Sequence, residues 1–153
     1  ELAYLKIHAE GFQLKKKTAD KDEDKNKEPN LKPYNSRGRE RIKGSVSGSI
    51  FKSTIDTTHP LAFGYETDYY SLKLNSNAYE LLEKGVNVGH FSKNATNLSG
   101  FTGMEALKQV PNSLLFGVEN KGRGKIIYMV DNPLFRSFWE NGKLFFANAV
   151  FLM

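Results

Sequence analysis

Apolar periodicity begins near Ser49 and continues to the end of the chain, so the ordered domain is expected to start there. Phe51 and Ile55 flank Ser53 on one face of a predicted strand, which Asp56, Thr57 and Thr58 end as a turn. Tyr70, Leu72 and Leu74 alternate with Tyr69, Ser71 and Lys73, the period of two that marks a half-buried strand. Asn77 with Glu80 reads as a helix start and Gly85 as its stop, which predicts a short helix over 78–84. Val86, Val88 and His90 share a strand face. Thr102 and Glu105 stand in capping-box spacing ahead of a helix that Pro111 ends.

Two β-rich runs, 114–118 and 126–130, are joined by a connection whose Gly122 and Gly124 can supply positive φ, as in a hairpin or a loop between neighbouring strands. Asp131 or Asn132 then caps a predicted helix with Pro133 in its first turn, carrying Leu134, Phe135, Phe138 and Trp139. After Asn141 and Gly142 comes an almost wholly apolar helix, 143–152, which must pack against something. Interleaved strands and helices indicate an α/β or mixed α+β layer architecture and exclude a helical bundle or a pure sandwich.

Composition changes this picture in three places. The chain has 153 residues, the size of one domain, and a net charge of +5. Residues 15–43 hold 11 Lys/Arg against 6 acids, which accounts for the whole excess. Mixed signs, Pro29, Pro33 and a single aromatic, Tyr34, describe a solvated insertion rather than a nucleic-acid arm, so no nucleic-acid partner is expected. There is no cysteine, which removes thiol nucleophiles and Cys-ligated metals from this chain. The longest apolar run, 144–153, is interrupted by Asn148 and falls short of the roughly 20 residues of a membrane span, so none is expected. The chain opens on Glu1 without a leader and reads as a piece of a longer polypeptide.

Candidate chemistry is sparse. His8, His59 and His90 are not spaced as zinc ligands, and His8-Ala9-Glu10 is half of a zinc-deaminase signature whose cysteine half is missing. Neither a Gly-x-Ser-x-Gly elbow nor a phosphate-binding loop of the Walker type is present. His90, on an apolar strand face, reads as a core histidine, and Asn148 as a helix residue that bonds backbone. The candidate ligand-binding residues are His59, held extended before Pro60, with Asp131, Asn132 and Arg136 at the start of the helix near Pro133. There the free N–H groups and the Arg136 guanidinium would favour an anion; the competing expectation pairs Arg136 with Asp131 or Glu140. No catalytic or metal-ligating residue is assigned.

HPLAFGY at 59–65, NSLLFGVE at 112–119, GRGK at 122–125 and YMVDNPLFRSFWENGKLFFANAVF at 128–151 resemble the C-terminal region of large bacterial zinc carboxypeptidases of the carboxypeptidase A-like superfamily. In that family a class I glutamine-amidotransferase-like domain follows the peptidase domain. The resemblance covers residues 49–153, with a weaker match over 1–11. It implies a flavodoxin-like α/β layered fold with a mixed sheet, incomplete at its N-terminal end. Residues 1–14 would end an upstream element, 15–48 form a charged flexible insertion, and 49–153 the C-terminal part of the amidotransferase-like domain. It also implies a periplasmic or secreted location and a neighbouring peptidase domain on the same polypeptide. The parent's zinc would sit there, leaving no cofactor in this chain. Amidotransferase chemistry needs a Cys nucleophile with a His base, and no Cys exists here, so the resemblance reduces to a non-catalytic accessory domain. The alternative is a ligand-binding module for carbohydrate or anionic cell-wall ligands.

Overall fold

The computed structural model describes residues 11–17 and 33–153. One six-stranded sheet organises them: β1 (Val46–Ile55), β2 (Asp68–Lys73), β3 (Val86–His90), β4 (Asn97–Thr102), β5 (Leu114–Lys121) and β6 (Gly124–Met129). Three α-helices accompany it, α1 (Arg37–Lys43), α2 (Met104–Leu107) and α3 (Glu140–Phe151). The ten-residue β1 is the hub. It pairs with β2 along one edge, and along the other with β4 through its first half and β3 through its last two residues. From β3 the sheet continues through β5 to β6.

Every pairing among the described residues is antiparallel, so the expected mixed sheet is not what forms, and flavodoxin-like layering does not follow from it. The connections give the reason. Parallel neighbours need a crossover of a dozen or more residues, usually a helix, yet α2 joins β4 to β5, which are not partners, and β5 turns into β6 through Gly122 and Arg123 alone. That hairpin follows the sequence expectation, with Gly122 at φ +60°.

Phe51, Ser53 and Ile55 are all buried on one face of β1, as their alternation predicts. β1 starts at Val46, ahead of Ser49, because Gly48 and Gly100, at φ +99° and +83°, let β1 and β4 pair across a bulge. A Cβ on Gly100 would lie 2.1 Å from the Gly48 carbonyl oxygen. The region expected as a charged insertion therefore includes α1 and the start of the hub strand, and Lys16 bridges Tyr79.

The main core gathers Phe51, Leu61, Tyr69, Val88, Phe91, Leu115 and Phe116 around Phe145 of α3. Phe145 stacks between Tyr65 and Phe116, at centroid distances of 4.1 and 4.0 Å, while Tyr69 meets both Phe116 and Phe145 edge-on. A second cluster, Leu14, Tyr79, Leu82, Leu114 and Tyr128, seals the segment at 11–17 onto the domain.

Two predicted helices are absent. Residues 78–84 are not helical because their backbone groups bond across the fold. Ala78 O and the Glu80 N–H pair with Lys17 and Lys15, Tyr79 O accepts from Leu114, and the Leu82 N–H donates to the Asn87 side chain. Residues 131–139 form only one 3-10 turn, Phe135–Ser137, because Arg136 and Ser137 adopt left-handed φ of 50° and 58°. Elsewhere the expected helix after Thr102 shrinks to α2 with Gly103 as its N-cap, and α3 starts at Glu140, a little before the expected 143.

Candidate functional site

The nominated residues are dispersed into separate structural tasks. His59 keeps the extended backbone that precedes proline, at φ −87° and ψ 137°, and its Nδ1 accepts the Leu61 N–H at 3.1 Å. It thus caps the 3-10 turn Pro60–Ala62. That bond leaves the ring proton on Nε2, and burial pushes the imidazole below its ordinary 6.5, helped by Lys125 and opposed by Asp56. Asn132 closes a short turn by accepting the Leu134 N–H.

Arg136 is exposed, lies over the Phe135 ring at 5.2 Å, and pairs with neither Asp131 nor Glu140. Glu140 bonds Lys143 instead. With the helix near Pro133 unformed, its N–H groups do not converge into the expected anion site. No hydrogen bond or ion pair among the described residues joins His59 or Arg136 to Asp131 or Asn132.

Asp131 has a different partner. β2 buries Tyr69, Ser71 and Lys73 and turns Tyr70 and Leu74 outward, so the polar parity of the strand faces the interior. Lys73 Nζ meets Asp131 Oδ1 at 3.2 Å, and the Ser71 hydroxyl donates to Oδ2 at 2.7 Å. The ammonium also lies 5.9 Å from the Phe91 ring centre. A buried charge costs several kcal/mol unless paired, so the carboxylate and ammonium stabilise each other there, out of solvent reach. Near them the Trp139 indole N–H is buried next to the Tyr69 hydroxyl, which burial keeps protonated well above its ordinary range. A second buried contact has the same logic: the Tyr128 hydroxyl donates to Glu119 Oε2, and burial with that carboxylate pushes the phenol up.

Sequence reasoning missed Lys73. The signal was a lysine on the same strand parity as a tyrosine and a serine, with an aspartate elsewhere free to meet it. Asn148, expected to bond backbone, does so at long range: its Nδ2 donates to Leu61 O and Phe63 O at 3.0 and 2.8 Å. His90 is half-buried at the end of β3, opposite Thr54 and Leu114, rather than enclosed in the core. His8 and Glu10 lie outside the described residues.

Helix α3 buries Gly142, Phe145 and Asn148 and exposes apolar side chains on both flanks: Leu144 and Phe151 seven residues apart on one, Phe146 and Val150 four apart on the other. Phe151 is 82% exposed. Phe63, whose carbonyl Asn148 holds, is exposed as well. Among the described residues no group of three or more His, Asp or Glu could hold a metal, and no helix is long and apolar enough to cross a membrane. No family model, curated protein or solved structure matches the chain.

Proposed function

We propose that the chain is a non-catalytic accessory domain of a zinc metallocarboxypeptidase, the neighbouring peptidase domain of the same polypeptide hydrolysing C-terminal residues of peptides. In this reading the zinc belongs to that neighbour, the polypeptide is periplasmic or secreted, and the domain is the later part of a flavodoxin-like, class I glutamine-amidotransferase-like unit. The layering and the location rest on the sequence blocks at 59–65, 112–119, 122–125 and 128–151 alone.

The observation that carries an accessory role is the outer surface of α3. It falls inside the longest of those blocks, and it exposes Leu144 and Phe151 on one flank and Phe146 and Val150 on the other. Exposed apolar patches of this kind mark contact surfaces. The neighbouring polar side chains are meanwhile spent on the fold: Asp131 on Lys73, His59 on a cap, Asn148 on two carbonyls.

The reading frame upstream of Glu1 tests the proposal. A His-x-x-Glu followed by a later His, the ligand set of a zinc peptidase, is expected there. A complete frame without it overturns the proposal, as does zinc-dependent release of C-terminal residues by the isolated 153-residue chain.

A further inference from the structure

The charge excess of the chain has a structural focus. Tyr34, Asn35, Arg37, Gly38 and Arg41 line an open cavity of about 450 Å³ on the outer side of α1 and the 3-10 turn Tyr34–Ser36 before it. The volume lies within the range of small-molecule sites, roughly 300–1,000 Å³.

Arg37 and Arg41 stand four residues apart on one helix face, the spacing at which like charges repel and destabilise a helix by a few tenths of a kcal/mol. Each could have been offset by an acid. The acid within the helix, Glu40, is instead bonded by Lys43 at 2.9 Å. Among the described residues neither Arg37 nor Arg41 makes an ion pair. Both arginines therefore line the cavity without an ion pair to any other described residue.

The rest of the lining is as specific. Tyr34 is 84% exposed, and its ring carries the Arg37 guanidinium at 5.7 Å, a flat cationic platform. Gly38, between the two arginines, keeps the floor open, since a Cβ there would meet no atom within 4 Å. Asn35 adds an amide. The mount is firm: Gly103 packs so closely under the end of α1 that a Cβ on it would lie 2.3 Å from the Ile42 and Lys43 carbonyl oxygens.

We propose that this cavity binds a phosphate-bearing small molecule with a flat ring, Arg37 and Arg41 clamping the phosphate and Tyr34 stacking on the ring. Two neighbouring guanidinium groups match a doubly charged phosphate, which accepts planar, two-point hydrogen bonds from each. One carboxylate would neutralise only one of them. The inference is independent of the accessory-domain reading and uses none of its residues.

The test is an amide NMR titration of the full chain in about 0.1 M salt, with inorganic phosphate and with adenosine 5′-monophosphate as separate probes. Both should shift amides at 34–41 first, with the nucleotide binding about tenfold or more tightly than phosphate alone because it adds the stacked ring. Arg37→Gln and Arg41→Gln should each weaken both probes about tenfold. Tyr34→Ala should remove the nucleotide's advantage and spare phosphate; an unchanged amide spectrum elsewhere confirms that each variant is folded. The proposal is overturned if about 10 mM phosphate leaves residues 34–41 unshifted, or if the double arginine variant titrates like the unmodified chain. It is also overturned if a single-stranded oligonucleotide binds with a salt dependence steeper than two arginines supply, which would make the surface a polyanion track.

Discussion

Lys73 of β2 and Asp131, just beyond β6, meet at 3.2 Å with side chains only 1% and 5% exposed, tying one edge strand of the sheet to the loop that follows the other. Removing one partner strands the other charge in the interior, which typically costs about 3–5 kcal/mol. Lys73→Met and Asp131→Leu should each reduce stability by that order in urea unfolding. The double variant should recover most of the loss, short of about 1 kcal/mol for the Ser71 hydroxyl left without its acceptor. Single variants within 1 kcal/mol of the unmodified chain would refute a dependence on the pair.

Gly142 lies inside helix α3, where alanine would ordinarily gain about 1 kcal/mol. Here a Cβ would lie 2.1 Å from the Pro133 carbonyl oxygen and 2.7 Å from its Cα, both backbone atoms that cannot rotate aside. Overpacking of this sort costs about 1–3 kcal/mol, so Gly142→Ala should lower the melting temperature in a calorimetric scan. A higher melting temperature would show that the loop at 131–139 yields.

Asn148→Leu keeps the number of side-chain heavy atoms and supplies a good helix former but leaves the Leu61 and Phe63 carbonyls without their donor. The expected loss is about 1–3 kcal/mol, read as a lower urea midpoint. Faster amide exchange at 59–65 should accompany it, because those two bonds hold that segment against α3 together with Tyr65, which bonds Asn141 and Phe145.

His59 titrates below its ordinary 6.5 in the folded chain, burial being the main cause. The unfolded chain therefore binds the proton first. Stability should fall as pH drops below 6.5 and level off only below the folded value. His59→Asn retains a capping acceptor and removes this titration, so the variant should lose less stability than the unmodified chain between about pH 7 and pH 5. Parallel loss in both would refute the assignment to His59.

Where local chemistry decides, the sequence was a sound guide. The β5–β6 hairpin needs a residue at positive φ between two β-rich runs, and Gly122 supplies it in place. The turn after β1 needs a side chain that accepts from the backbone two residues on, and Asp56 does so for Thr58. The apolar run near the C-terminus reads as a helix and forms one, α3.

The two missing helices show where local reasoning ended. Asn77 and Glu80 have the spacing of a cap, but sheet-like bonds from Lys15, Lys17 and Leu114 claim the same backbone, and those partners are distant in the chain. Pro133 suits a first helical turn, but Asp131 is drawn inward by Lys73, and the chain turns left-handed at Arg136 to bring Gly142 against Pro133. The candidate site dissolved for the same reason, since its polar groups found structural partners in other elements.

By itself the sequence determined the interleaving of strands and helices, the hairpin, and the concentration of positive charge in one segment, because each depends on neighbours a few residues apart. Only the tertiary structure decided that the sheet is antiparallel, that β2 turns its polar parity inward, and that Arg37 and Arg41 share one open cavity. Those outcomes depend on which distant groups meet in the interior, where an unpaired charge or backbone group costs more than any local preference returns.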